Sequence, residues 1–156
     1  MKILSILLSC LLIFVSCKKE NKDQKVAVDS KTIDFGMCFF PNDPKANIGY
    51  VIKDEKSFNL LFDSIRNKHF SCDTALIPNI DFSKYSLLGI LTENVCSSKI
   101  ITRSVLNDIS NKQYLYNITV GKDVEPTCMM LVKTMNWVIV SKLPEDYKVV
   151  FTIIKE

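Results

Sequence analysis

The sequence predicts an α+β domain: a mainly antiparallel sheet of five to seven strands with one amphipathic helix packed on it. Three observations lead there. Residues 113–121 alternate at strand period, with Tyr114, Tyr116, Ile118 and Val120 on one face and Leu115, Asn117 and Thr119 on the other. Phe58, Leu61, Phe62 and Ile65 recur instead at helical period. Leu87 to Leu91 is apolar throughout and too short for a helix, the pattern of a buried central strand.

In chain order, Thr32 to Gly36 is a weakly alternating first strand, followed by a loop with two prolines. Tyr50-Val51-Ile52 forms a short strand, and Asp54 caps a helix of about twelve to fifteen residues, with Glu55 in its first turn and Arg66, Lys68 and His69 at its end. The helix must cover one face of the sheet, because nothing else in the chain has the apolar stripe to do so. Residues 71–79 are a loop, and Ile80 to Tyr85 lead into the apolar strand. Lys99 to Leu106 is the next strand, Asn107 to Lys112 a polar turn, and Gln113 to Gly121 the strand after it. Cys128 to Met135 and Trp137 to Lys142 read as one strand interrupted near Asn136, or as two. Pro144-Glu145-Asp146 turns the chain into a last strand, Tyr147 to Ile154.

Ahead of this domain, Lys2 precedes an apolar run from Ile3 to Val15. The run falls short of the ~20 residues that cross a bilayer and has the length of a signal-peptide core. It ends in Phe14-Val15-Ser16-Cys17, which resembles the lipobox of bacterial lipoproteins, with Phe14 where leucine is usual and the small Ser16 before the cut. Leu7-Leu8-Ser9-Cys10 also fits that pattern but leaves too little apolar chain ahead of it, so Cys17 is the preferred site. The resemblance implies cleavage after residue 16 and acyl chains on Cys17, a membrane anchor without a spanning segment. In the sorting rule of such lipoproteins an Asp after the cysteine retains the protein in the inner membrane; Lys18 stands there, which implies the outer membrane. Residues 17–31 are rich in charge and poor in large apolar groups and read as a flexible tether, leaving 32–156 as a single domain.

The chain carries 20 basic and 17 acidic residues, and losing Lys2 leaves a mature charge of +2, a balance that implies no nucleic-acid partner. Of six cysteines, Cys10 leaves with the signal and Cys17 is acylated, so Cys38, Cys72, Cys96 and Cys128 remain. An even number in an exported chain reads as two disulfides. Three pairings are open; Cys38 with Cys72 and Cys96 with Cys128 is favoured because every member then lies in or beside a turn. A thiolate zinc site would need C-x-x-C spacing, which is missing.

Catalytic patterns are sparse. His69 is the single histidine, and as a base for Cys72 it would serve a thiol that an oxidising compartment commits to a disulfide. A small hydrolase using His69 is the alternative reading. Cys128-Met129-Met130, together with Met37 and Met135, suggest a soft-metal site of the copper kind as a second alternative, although methionines in apolar strands usually fill cores. The expectation is a non-enzyme with no cofactor and no metal. Phe39 and Phe40 are adjacent and would face opposite ways in a strand, which makes them the candidate contact surface. Asp73-Thr74-Ala75 resembles the acceptor tripeptide for O-glycosylation in exported proteins of some Gram-negative bacteria.

The order of Tyr50-Val51-Ile52 leading into the helix of Phe58, then Ile80-Asp81-Phe82-Ser83-Lys84 before an apolar strand, then a strand pair closing on Trp137 to Pro144, resembles the C-terminal domain of the protease-complex subunit PrcB over roughly residues 48–156. It departs from that pattern at Asn94-Val95-Cys96-Ser97, where a glycine-rich tract is expected. The resemblance implies a non-catalytic exported partner of an envelope protease.

Overall fold

Asp54 opens the helix. Its Oδ1 accepts from the Ser57 backbone N–H at 2.7 Å and its Oδ2 from the Ser57 hydroxyl at 2.9 Å, satisfying a first-turn amide that has no partner within the helix. The same bonds, the backbone one foremost, hold its carboxyl below the usual carboxylate range. A computed structural model describes residues 24–35, 48–66, 77–95, 100–121 and 131–156, and among them are eight strands and this one helix, α1 (Glu55–Arg66). The strands are β1 (Lys25–Ala27), β2 (Ser30–Ile33), β3 (Gly49–Ile52), β4 (Tyr85–Val95), β5 (Ile100–Asp108), β6 (Gln113–Val120), β7 (Leu131–Ser141) and β8 (Lys148–Lys155).

The domain is α+β, with the strands divided between two sheets of four. Sheet A has the order β1-β5-β6-β8 and sheet B the order β2-β7-β4-β3. Every pairing is antiparallel except β6 with β8, which runs parallel from Gln113↔Lys148 to Val120↔Lys155. The first two strands are nearly continuous. β1 pairs with β5, Val28 donates its N–H to the Val105 carbonyl at 2.9 Å, and the chain then steps across to pair β2 with β7. At the opposite side of the molecule β3 and β8 approach each other, and the Phe151 ring lies so close to Gly49 that a Cβ there would overlap it.

Sheet B is the middle of three layers, and its two faces are covered by different things. One face gives Leu88, Ile90, Val138 and Val140 to a core shared with Val105, Tyr114, Tyr116, Ile118 and Val120 of sheet A. The other gives Leu87 and Trp137 to a core completed by Ile52, Phe35, Phe58 of α1, and Ile80. This explains the unbroken apolar run in β4: with both faces buried, strand alternation disappears. In the second core the Phe35 ring meets Trp137 edge-on at 6.0 Å, and Tyr50 tilts against Trp137 at 5.9 Å.

A polar network lies between the sheets, while Asn107 Oδ1 is buried there without a hydrogen-bond partner. The Arg103 guanidinium donates to Asn136 Oδ1 at 2.9 and 3.2 Å, and Asn136 Nδ2 donates to the Thr134 carbonyl, Thr92 Oγ1 and the Ile90 carbonyl. Burial pushes the Tyr116 hydroxyl far above its ordinary pKa, and the hydroxyl donates to the Asn136 carbonyl.

Several expectations are corrected. A single sheet of five to seven strands becomes two sheets and eight strands, because a second sheet rather than solvent meets the face that α1 leaves open. The stretch 17–31 is not tether throughout: β1 and the start of β2 lie inside it, held by backbone pairing that their charged side chains do not advertise. The first strand predicted over Thr32 to Gly36 is replaced by β2, which ends at Ile33. β7 is continuous through Asn136, whose side chain turns into the polar network instead of breaking the strand.

Trp137 packs flat over Gly89, its cross-strand partner, and a Cβ at that glycine would overlap the indole ring. Gly89→Ala is expected to destabilise the domain by about 1–3 kcal/mol, the usual cost of overpacking a filled core; chemical denaturation checks it, and a variant as stable as the parent would contradict this packing.

Candidate functional site

The segment 77–83 leaves the helix layer as Ile77-Pro78-Asn79-Ile80 and then makes a tight bend that Asp81 holds. Asp81 Oδ1 accepts from the Ser83 hydroxyl at 2.5 Å and the Ser83 N–H at 3.1 Å, and its Oδ2 pairs with Lys84 Nζ at 3.0 Å. The bond from the Ser83 hydroxyl leads the causes that lower its pKa to about 2. Ile80 is thereby pinned into the core under the segment, while Asn79 and Asp81 stay exposed on its rim.

Two lysines fix this bend to the rest of the molecule. Lys142, just past β7, donates from Nζ to the carbonyls of Lys53 and of Phe82 (2.9 Å), and its N–H reaches the Lys84 carbonyl at 2.7 Å. Lys53 answers in the other direction, with Nζ donating to the Pro144 carbonyl at 3.0 Å and lying 3.6 Å from Glu145. The exit of β3, the bend at 81–84 and the turn after β7 therefore form one locked corner. Read from the sequence, both lysines look like solvated surface charge; no local pattern marks a side chain that reaches a distant carbonyl.

A concavity lies on each side of the locked segment. The larger, about 830 Å³, is an open groove between α1 and residues 77–83, with Phe58, Phe62, Ile77 and Phe82 along its floor and Glu55 and Asn59 on the helix side. The Phe58 and Phe82 rings tilt against each other at 5.4 Å across that floor. The smaller, about 420 Å³, lies between Asn79 to Asp81 and the end of β7, with Asp29, Lys31 and Tyr85 around it. Asp81, at the edge of both concavities, is held as an anion by three donors, so it is poorly suited to accept a proton near neutral pH.

The helix stripe read from the sequence serves two tasks. Phe58 and Phe62 both pack on the Trp137 core and both line the groove, Phe58 buried and Phe62 half-buried, where periodicity alone gives only the core role. Met135, one of the suggested soft-metal ligands, is packed beside the Trp137 core. Cys17, the candidate lipid site, lies outside the described residues, as do Cys38, Cys72, Cys96, Cys128, His69, Phe39, Phe40, Met37, Met129, Met130 and Asp73-Thr74-Ala75. Among the described residues no three His, Cys, Asp or Glu side chains cluster to hold a metal, and no helix is long and apolar enough to cross a membrane. Comparison with protein-family models, with curated proteins and with solved structures gives no match to this chain.

The low pKa of Asp81 sets a pH dependence. A carboxyl depressed in the folded state stabilises that state above its unfolded pKa, and the contribution is lost as pH falls through the folded value. Melting temperatures followed from about pH 4 down to about pH 2 should therefore fall more steeply for the parent than for Asp81→Asn. Parallel curves would contradict the bond network drawn around this bend.

Proposed function

We propose that this chain is a bacterial outer-membrane lipoprotein, acylated at Cys17, whose domain presents a non-catalytic binding surface to another exported protein. The observation that carries the binding reading is the groove between α1 and the locked 77–83 segment. Aromatic side chains line it, and polar groups gather at its rim, the composition of a recognition surface. An extended, apolar peptide segment is the ligand it suits: side chains would enter between Phe62 and Phe82, and a basic residue would meet Glu55. The PrcB-like order of elements supports an envelope protease as the partner, with this domain as a non-catalytic companion.

Locking matters for such a role, because a groove whose walls are already in place spends little of its binding energy on ordering them. One wall is a capped helix. The other is a bend held by Asp81, Lys84 and Lys142, each through bonds to backbone or to a neighbouring side chain.

Photo-crosslinking tests the surface. With benzoylphenylalanine at Asn59, on the groove, the lipidated protein in intact cells should capture one discrete exported protein, and the same probe at Ile109, in the β5–β6 turn, should not. Equal capture at both positions, or none at either, would end the groove reading. The anchor is tested separately: labelled palmitate should enter the parent and fail to enter Cys17→Ser.

A further inference from the structure

The outer face of sheet A is the opposite side of the molecule from the groove. It belongs to neither core cluster. Pairing sets its residues in rows across the strands: Ala27, Leu106, Leu115 and Val150 in the first, Ser104, Asn117 and Thr152 in the second, Thr102, Thr119 and Ile154 in the third. No charge appears in these rows. They cover roughly 14 Å in each direction, from strand spacings of about 4.8 Å and same-face repeats of about 7 Å. Val150 and Ile154 are 41% and 47% exposed, and Ala27, Thr102, Ser104 and Thr152 are exposed too. A sheet face that meets water along its whole extent ordinarily alternates apolar-in with charged-out. This one presents methyls, hydroxyls and an amide.

Charge begins at the next row, Lys25↔Asp108↔Gln113↔Lys148. Lys25 and Lys148 are exposed there, while the Asp108 carboxylate is turned into the β5–β6 turn, accepting from the Asn111 N–H and side chain and from Gln113. What this row offers outward is two ammonium groups.

The chain's own anchor ends at the same place. Lys25 opens β1, an edge strand of sheet A, and only residues 18–24 separate it from Cys17. Seven residues reach at most about 25 Å even when fully extended. The link therefore joins the fold at the edge of sheet A, the layer farthest from α1.

We infer that the outer face of sheet A lies on the membrane in which Cys17 is anchored, so that the α1 groove opens away from the bilayer toward its partner. The inference rests on the lipoprotein reading of Cys17. The lipid surface it fits is an anionic one: lysines at the rim meet phosphates, and the hydroxyls and short apolar side chains between them sit at head-group level. With layers about 10 Å apart, the groove is held roughly 20 Å above that contact.

The test uses the full lipidated protein in phosphatidylethanolamine–phosphatidylglycerol vesicles, with tryptophan as a contact probe and brominated lipid as quencher. Trp137 is buried, and its signal in the parent gives the background. Thr152→Trp places a probe on sheet A, and Leu60→Trp places one on the exposed side of α1. In brominated vesicles the Thr152→Trp probe should lose most of its added emission and shift to the blue, while the Leu60→Trp probe keeps both intensity and wavelength. Quenching of the α1 probe as strong as that of the sheet probe would overturn the orientation. So would a sheet probe that bromine leaves untouched while the protein floats with the vesicles, including one shifted blue only with rising protein concentration, which would make the face a contact between two copies. Failure of the parent itself to float with vesicles would instead bring down the anchor reading, and this inference with it.

Discussion

Eleven residue pairs join β4 to β7, from Tyr85↔Ser141 to Val95↔Leu131, and every other part of the molecule is placed by reference to that ladder. Its middle is buried from both sides. Leu88, Ile90, Val138 and Val140 face the second sheet, Leu87 and Trp137 face the helix, and each is almost wholly removed from water. At roughly 1.5–3 kcal/mol for each fully buried apolar side chain, these two strands hold a large share of the hydrophobic stabilisation. Gly89 lets Trp137 lie flat across the ladder, and the indole in turn seats Phe35 and Tyr50.

From that centre the layers divide the work. Sheet A closes one core and has three uncharged rows on its far face; α1 closes the other and forms one wall of a groove. The ladder also delivers Lys142 to the corner where it joins β3, the bend at Asp81 and the turn after β7. The side that carries β1 and the side that carries the groove are thus consequences of one arrangement: β1 lies on sheet A, and the helix has its place on sheet B.

How much of this was legible in the sequence depended on whether the signal was local. Asp54 and the spacing of Phe58, Leu61 and Phe62 announced α1 because capping and helical period act within a few residues. The alternation of 113–121 announced β6 because one of its faces is core and the other is not. Leu87 to Leu91 told of burial without telling that a second sheet lay on one side of it. Pairing across the chain left no such trace: Lys25-Val26-Ala27 and Ser30 to Ile33 are short edge strands whose side chains look like linker, and the parallel partnership of β8 with β6 has no sequence mark. Asn136 misled in the other direction, since a polar residue inside an apolar run resembles a break until Arg103 and Thr92 are seen to pair with it. The groove was half legible: its floor was read as core stripe, and the bend opposite, held by Asp81 and Lys142 through contacts distant in sequence, was not read at all.

Native-state hydrogen exchange resolved by residue tests the central place of the β4–β7 ladder most directly. Amides of residues 87–90 and 137–140 should exchange last, at rates set by global unfolding, with those of β1, β8 and the ends of α1 opening well before them. Exchange in β4 and β7 as fast as in the edge strands would show that the molecule is not built around this ladder.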